Sequence, residues 1–174
     1  NMDSEKIYIL YPPISKEERY SSKIGGAGGE QIPLGIYYLA AYLRDHGYIV
    51  KVTDAEVNQL MTEDIIREIK EFAPKFVGIS STTVTFHRAL EIARDIKNLF
   101  KNIKIILGGP HVTSNVTHAM SFGVFDYGVL REGELTFLEL IERISKNESI
   151  EDVRGIAYLD EEGNLKINPY REYI

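Results

Sequence analysis

Apolar and polar positions along this chain alternate between two periods. Lys6–Tyr11, Ile49–Thr53, Phe76–Ser81, Ile103–Leu107 and Phe125–Leu130 are short apolar runs with the length and β-branched content of strands. Between them apolar residues recur at helical spacing. Leu34, Tyr37, Tyr38, Ala41 and Tyr42 form the first stripe, and Ile65, Ile66, Ile69 and Phe72 the second. Ala89, Ile92, Ala93, Ile96 and Phe100 mark a third, and Phe137, Leu138, Ile141 and Ile144 the last, with a shorter helix expected around Val112–Ser121. Pro12-Pro13 ends the first run, because proline cannot extend a hydrogen-bonded ladder. Pro33 suits the first turn of a helix, and Gly47 its C-terminal cap. Thr62 reads as the next N-cap, followed by Glu63 and Asp64 at the positive end of the helix dipole. Arg154–Leu159 and Leu165–Asn168 flank Asp160-Glu161-Glu162-Gly163-Asn164 and read as a β-hairpin.

This strand–helix alternation predicts an α/β fold: a doubly wound parallel five-stranded sheet of order 2-1-3-4-5 with right-handed crossovers and a C-terminal β-hairpin. Residues 1–150 are expected to form the sheet domain, and 151–174 the hairpin and the start of a linker. Such sheets bind ligands outside the carboxyl ends of their strands. Three predicted strand ends there are rich in small or polar residues. They are Ser80, Ser81, Thr82 and Thr83; Gly108, Gly109, Pro110 and His111; and Glu132, Gly133 and Glu134. Residues 14–32 are polar and glycine-rich, with Gly28 and Gly29 among them, and longer than a usual connection. They are expected to fold over the ligand.

Composition narrows the choice. The 174 residues are 44% hydrophobic and 26% charged, ordinary for a globular domain. A net charge of −6 argues against nucleic acid or an anionic membrane as partner. Without cysteine, the chain itself holds no disulfide, thiol nucleophile, Cys-ligated zinc or iron–sulfur cluster. No apolar run reaches the ~18 residues of a membrane span, and the N-terminus lacks a signal-peptide core, so a cytoplasmic location is expected. Asn1 ahead of Met2 reads as an added residue, and Asn168–Ile174 as the start of a linker.

Several familiar ligands of this architecture fit poorly. The glycines follow the first strand by more than ten residues, and Gln31 stands where a dinucleotide fingerprint needs its third glycine. Asp54 ends the second strand, where a ribose-binding acid would lie, but a loop cap explains it as well. There is no Gly-Lys pair for a P-loop. The third strand ends in hydroxyls rather than the acid of a phospho-acceptor site. His111 and His118 are seven apart without a third ligand, so no metal site is expected. No residue is singled out as a catalytic acid, base or nucleophile. What remains is a large ligand laid across small residues and hydroxyl donors.

The order and spacing of these motifs resemble the cobalamin-binding domain found at the N-terminus of radical SAM enzymes. The resembling segments are Tyr11-Pro12-Pro13, Pro33–Leu43, Val52–Ala55, Gly78-Ile79-Ser80, Gly108–His111 and Glu132–Thr136. The hairpin through Gly155–Tyr158 and the Asn168-Pro169 exit look like that family's passage toward its catalytic barrel. The resemblance implies a flavodoxin-like domain whose sheet edge takes the cobalamin tail, with Ser80 and Thr82 lining it and Gly108-Gly109 allowing its close passage. It also implies a parent chain whose C-terminal barrel carries a [4Fe-4S] cluster, uses S-adenosylmethionine, and acts as a methyltransferase or cyclase. Two departures stand out. No histidine lies between Tyr11 and Pro33 to replace the lower cobalt ligand, and Arg131 precedes Glu132-Gly133-Glu134 where the family often has glycine. The alternative is a domain that has lost cobalamin and serves in substrate recognition or protein interaction. An open slot beside Ser80 and Gly109, rather than one filled by Arg131, separates the two.

Overall fold

The computed structural model describes residues 5–14, 34–131 and 133–172. Its strands are β1 (Lys6–Tyr11), β2 (Ile49–Asp54), β3 (Phe76–Ser80), β4 (Lys104–Gly108), β5 (Tyr127–Val129), β6 (Ile156–Leu159) and β7 (Leu165–Ile167). They form one sheet of order β2-β1-β3-β4-β5-β6-β7. β1 to β5 pair in parallel, in the expected 2-1-3-4-5 order. The sheet has seven strands rather than five because the hairpin joins it. Antiparallel pairing sets Gly128 opposite Ala157 and Val129 opposite Ile156. β5 has only three residues and would otherwise be an open edge; the buried Ile156 and Ala157 cover it.

The helices are α1 (Leu34–Asp45), α2 (Thr62–Phe72), α3 (Phe86–Leu99), α4 (Pro110–Ser114), α5 (Val116–Met120) and α6 (Glu134–Ser145). α4 and α5 replace the single short helix expected at 112–121, because Asn115 leaves helical geometry at φ −136°, ψ 49°. At α2 the cap is Met61 rather than Thr62. The Asp64 carboxylate accepts a hydrogen bond from the Met61 N–H at 3.0 Å, and Thr62 is the first helical residue.

Strand alternation sorts the core into two layers. Ile7, Ile9, Phe76 and Ile106 pack under α1 and α6. Tyr8, Leu10, Val77, Ile79, Ile105 and Leu107 pack under α2, α3, α4 and α5. The buried stripe of α1 is Ile36, Ala40 and Leu43, not the tyrosine stripe expected from spacing. Tyr37 and Tyr38 are 47% and 66% exposed, and Ala41 is exposed. This helix is apolar on nearly every side, so spacing alone does not choose its face. The aliphatic side chains fit flat on the sheet, while the tyrosine rings keep their hydroxyls in water.

Candidate functional site

A cleft of about 540 Å³ opens at the carboxyl ends of β1, β3, β4 and β5, on the face covered by α1 and α6. That volume is within the usual range of small-molecule sites. Its floor follows from register. β3 and β4 pair Gly78 with Ile106 and Ser80 with Gly108. Alternate residues share a face, so Gly78, Ser80 and Gly108 form a strip of small side chains while Val77, Ile79 and Leu107 pack in the opposite layer, Ile79 also lining the cleft. Ile9 and Tyr11 of β1 and Val129 of β5 border the strip. Ile36 and Leu39 of α1 and Phe137 of α6 wall it. Phe137 lies close over Gly78, where an added β-carbon would be 3.1 Å from its ring.

The glycines here do different work. A β-carbon on Gly108 or on Gly35, the second residue of α1, would meet nothing within 4 Å, and neither residue has positive φ. The backbone requires glycine at neither position, and the space left open belongs to the cleft. Gly109 is different: its φ is +98°, and a β-carbon would approach the Ser81 carbonyl oxygen to 2.5 Å. Gly109 lets β4 turn tightly against the end of β3.

Of the residues expected from sequence, Ser80, Thr82, Gly108, Gly109, Pro110, Gly133 and Glu134 line the cleft. Ser81, Thr83 and His111 are not lining residues. Ser81 is fully buried and its hydroxyl donates to the Thr82 carbonyl at 2.9 Å. Thr82 and Thr85 close the turn into α3 reciprocally. The Thr82 N–H donates to Thr85 Oγ1 at 2.9 Å, and the Thr85 N–H to Thr82 Oγ1 at 3.3 Å. Gly28, Gly29 and Glu132 lie outside the described residues.

His111 sits in the layer on the far face of the sheet. Its ring stacks on Phe86 with centroids 4.1 Å apart and meets His118 edge-on at 5.9 Å. Its Nδ1 is 3.5 Å from Thr83 Oγ1, and its buried Nε2 has no partner among the described residues. Burial, then the neighbouring His118, holds its pKa below the usual 6.5. His111 and His118 stand on separate short helices. Among the described residues no three potential ligands gather into a metal site. Asp54 caps its own loop, its Oδ1 accepting the N–H groups of Glu56 and Val57, both at 3.1 Å.

Gly35, Ile36, Leu39, Ile106, Val129 and Phe137 also line the cleft and were not among the site candidates read from sequence. One signal for the floor was available: in Phe76–Ser80 the small residues Gly78 and Ser80 share one parity, and Val77 and Ile79 the other.

Arg131 and Glu134 are the charged lining residues. Arg131 does not fill the slot. Its guanidinium lies on the Tyr170 ring, 3.8 Å from the centroid, and its N–H donates to Thr113 Oγ1 at 3.0 Å. The Thr113 hydroxyl donates in turn to the Gly109 carbonyl at 3.3 Å, joining the loops after β4 and β5.

The family model for the B12 binding domain matches residues 24–141. The chain is 35% identical over 170 residues to an uncharacterized methyltransferase of Pyrococcus horikoshii, covering 97% of this chain and 36% of that protein. It is 31% identical over 158 residues to cytidylyl-2-hydroxyethylphosphonate methyltransferase of Streptomyces wedmorensis, covering 79% of this chain and 29% of that protein. The fold matches the cobalamin-dependent S-adenosylmethionine radical enzyme OxsB, solved with aqua-cobalamin and S-adenosylmethionine bound. There the TM-score is 0.81 at 21% identity, over 98% of this chain and 23% of that one. The chain thus spans about a third or less of the length of these proteins.

Proposed function

The chain belongs to the B12-binding domain family, and from that premise we propose that its cleft takes the nucleotide tail of cobalamin over the strip of Gly78, Ser80 and Gly108. The open space at Gly108 and Gly35 carries this reading, because neither glycine is demanded by the backbone and both face an apolar slot. Ile9, Ile36, Leu39, Val129 and Phe137 suit the faces of an aromatic base. Ser80, Thr82 and Glu134 offer polar partners for ribose hydroxyls and amides. Among the described residues no histidine lines the cleft, which supports a lower cobalt face without a protein imidazole. When bound, cobalamin supplies a cobalt centre able to carry an alkyl group.

The parent is proposed to be a radical SAM enzyme of methyltransferase or cyclase type, with its [4Fe-4S] cluster and S-adenosylmethionine in a C-terminal barrel. The names of the relatives and the small share of their length that this chain spans support that assignment. This chain then binds and presents the cofactor, and residues 151–174 lead toward the barrel. The open slot, with Arg131 laid on Tyr170, disfavours a domain that has lost its ligand.

The test is retention of hydroxocobalamin through desalting, followed by reduction and electron paramagnetic resonance of the cobalt(II) form. Retained cofactor with a base-off spectrum and no axial-nitrogen splitting is expected. A colourless protein fraction contradicts cobalamin binding by this chain; nitrogen splitting contradicts the base-off lower face.

A further inference from the structure

The Tyr11 hydroxyl and the Glu134 carboxylate belong to half-buried residues that line the cleft, and neither group has a hydrogen bond or ion pair among the described residues. The topology sets them at opposite ends. Tyr11 closes β1 and Glu134 opens α6 after β5, and β1 and β5 are the outer two of the four strands that end at the cleft. Tyr11 shares the parity of Ile7 and Ile9, which puts it on the cleft side of the sheet, while Tyr8 packs in the other layer. Its pKa is raised, first by burial and then by Asp54 and Glu56, so at neutral pH it is a phenol with a proton to donate. The same two acids disfavour a further negative charge at that end. At the other end a carboxylate offers acceptors only. A ligand that displaces water from this cleft must itself partner both groups or leave them unsatisfied.

Carboxamides satisfy both: their carbonyl oxygens accept from a phenol, and their N–H groups donate to a carboxylate. A carboxylate of the same shape has no proton to give Glu134 and adds a like charge beside it. The corrin ring of cobalamin carries primary amides around its edge. We propose that Tyr11 and Glu134 make this cleft selective for the amidated corrinoid over its carboxylate forms, Tyr11 donating to an amide carbonyl and Glu134 accepting amide N–H groups while repelling an acid. This rests on the cobalamin reading above and gives that reading a specificity.

The test is equilibrium dialysis of cyanocobalamin against its monocarboxylic acids, in each of which one ring propionamide is hydrolysed. The unsubstituted chain should bind cyanocobalamin at least about 10-fold more tightly than one or more of the acids, because like charges brought together in a partly desolvated site are costly. That preference should shrink with rising salt. Glu134→Gln keeps the shape and removes the charge, and its preference should fall to about 2-fold or less, chiefly through tighter binding of the acid. The preference is a ratio measured on one folded protein, so a change in stability does not alter it. Tyr11→Phe should weaken amide and acid forms alike, by about 3- to 10-fold, and keep the preference, because both forms retain a carbonyl oxygen. The assignment is overturned if the unsubstituted chain binds cyanocobalamin and every acid equally, or if the preference survives in Glu134→Gln. Unchanged binding by Tyr11→Phe overturns the part given to Tyr11. A chain that binds no corrinoid before substitution overturns the cobalamin reading, and this assignment with it.

Discussion

Gly109 and Ser81 pack backbone against backbone: a β-carbon on Gly109 would stand 2.5 Å from the Ser81 carbonyl oxygen and 2.9 Å from its nitrogen. The contact is locked by the Ser81 N–H donating to the Gly108 carbonyl at 3.0 Å and the His111 N–H donating to the Ser81 carbonyl at 3.3 Å. Gly109→Ala should therefore cost about 2–3 kcal/mol of stability, from a clash with rigid backbone and a strained φ together. Urea unfolding monitored by circular dichroism checks it, and a loss below about 0.5 kcal/mol, the usual surface-substitution range, would contradict the account.

Gly35 presents the opposite case. It lies in the first turn of α1, has open space at its β-position, and lines the cleft. Gly35→Ala should raise stability by up to about 0.5–1 kcal/mol through helix propensity. The same methyl group occupies ligand space, so cobalamin affinity should fall. Thermal melts and equilibrium dialysis on one preparation check both signs.

His111 gives the chain a pH dependence whose sign can be worked out. Burial lowers its folded-state pKa below 6.5, so the unfolded chain takes up the proton first as pH falls. The stabilisation is complete above about pH 6.5 and is lost as pH falls from there toward the lowered folded value, with a slope of at most ~1.4 kcal/mol per pH unit for one proton. His111→Phe keeps a ring against Phe86 and removes the titration. Its stability should be flatter than that of the unsubstituted chain between pH 6.5 and 5, as measured by denaturant midpoints. Parallel curves would show that His111 is not the titrating group.

The sheet order was legible because each apolar run is bounded by proline, glycine or a capping residue, and because each helix between them is long enough to cross over. The hairpin was legible too, but not its attachment, since pairing onto β5 depends on the edge that a three-residue strand leaves. At α1 the sequence misled, because Ile36, Ala40 and Leu43 and the tyrosines Tyr37 and Tyr38 both show helical spacing. The strand-end residues Ser80, Gly108 and Glu134 were legible as site candidates from their place after apolar runs. His111 follows the same rule, yet its first helical turn rotates it into the far layer beside Phe86. Ile36, Val129 and Phe137 look like ordinary core in sequence; only the packing of α1 and α6 shows that they wall a cleft.

The central claim is that the open strip at Gly108 is the ligand site. The most direct measurement is a titration of hydroxocobalamin into the unsubstituted chain and into Gly108→Leu, with both melts recorded beforehand. The leucine enters open space, so the fold should persist with little change in melting temperature, while the side chain fills the slot beside Ser80. The account predicts one cobalamin bound per chain before substitution and no detectable binding after it. Equal binding by a folded Gly108→Leu would contradict it.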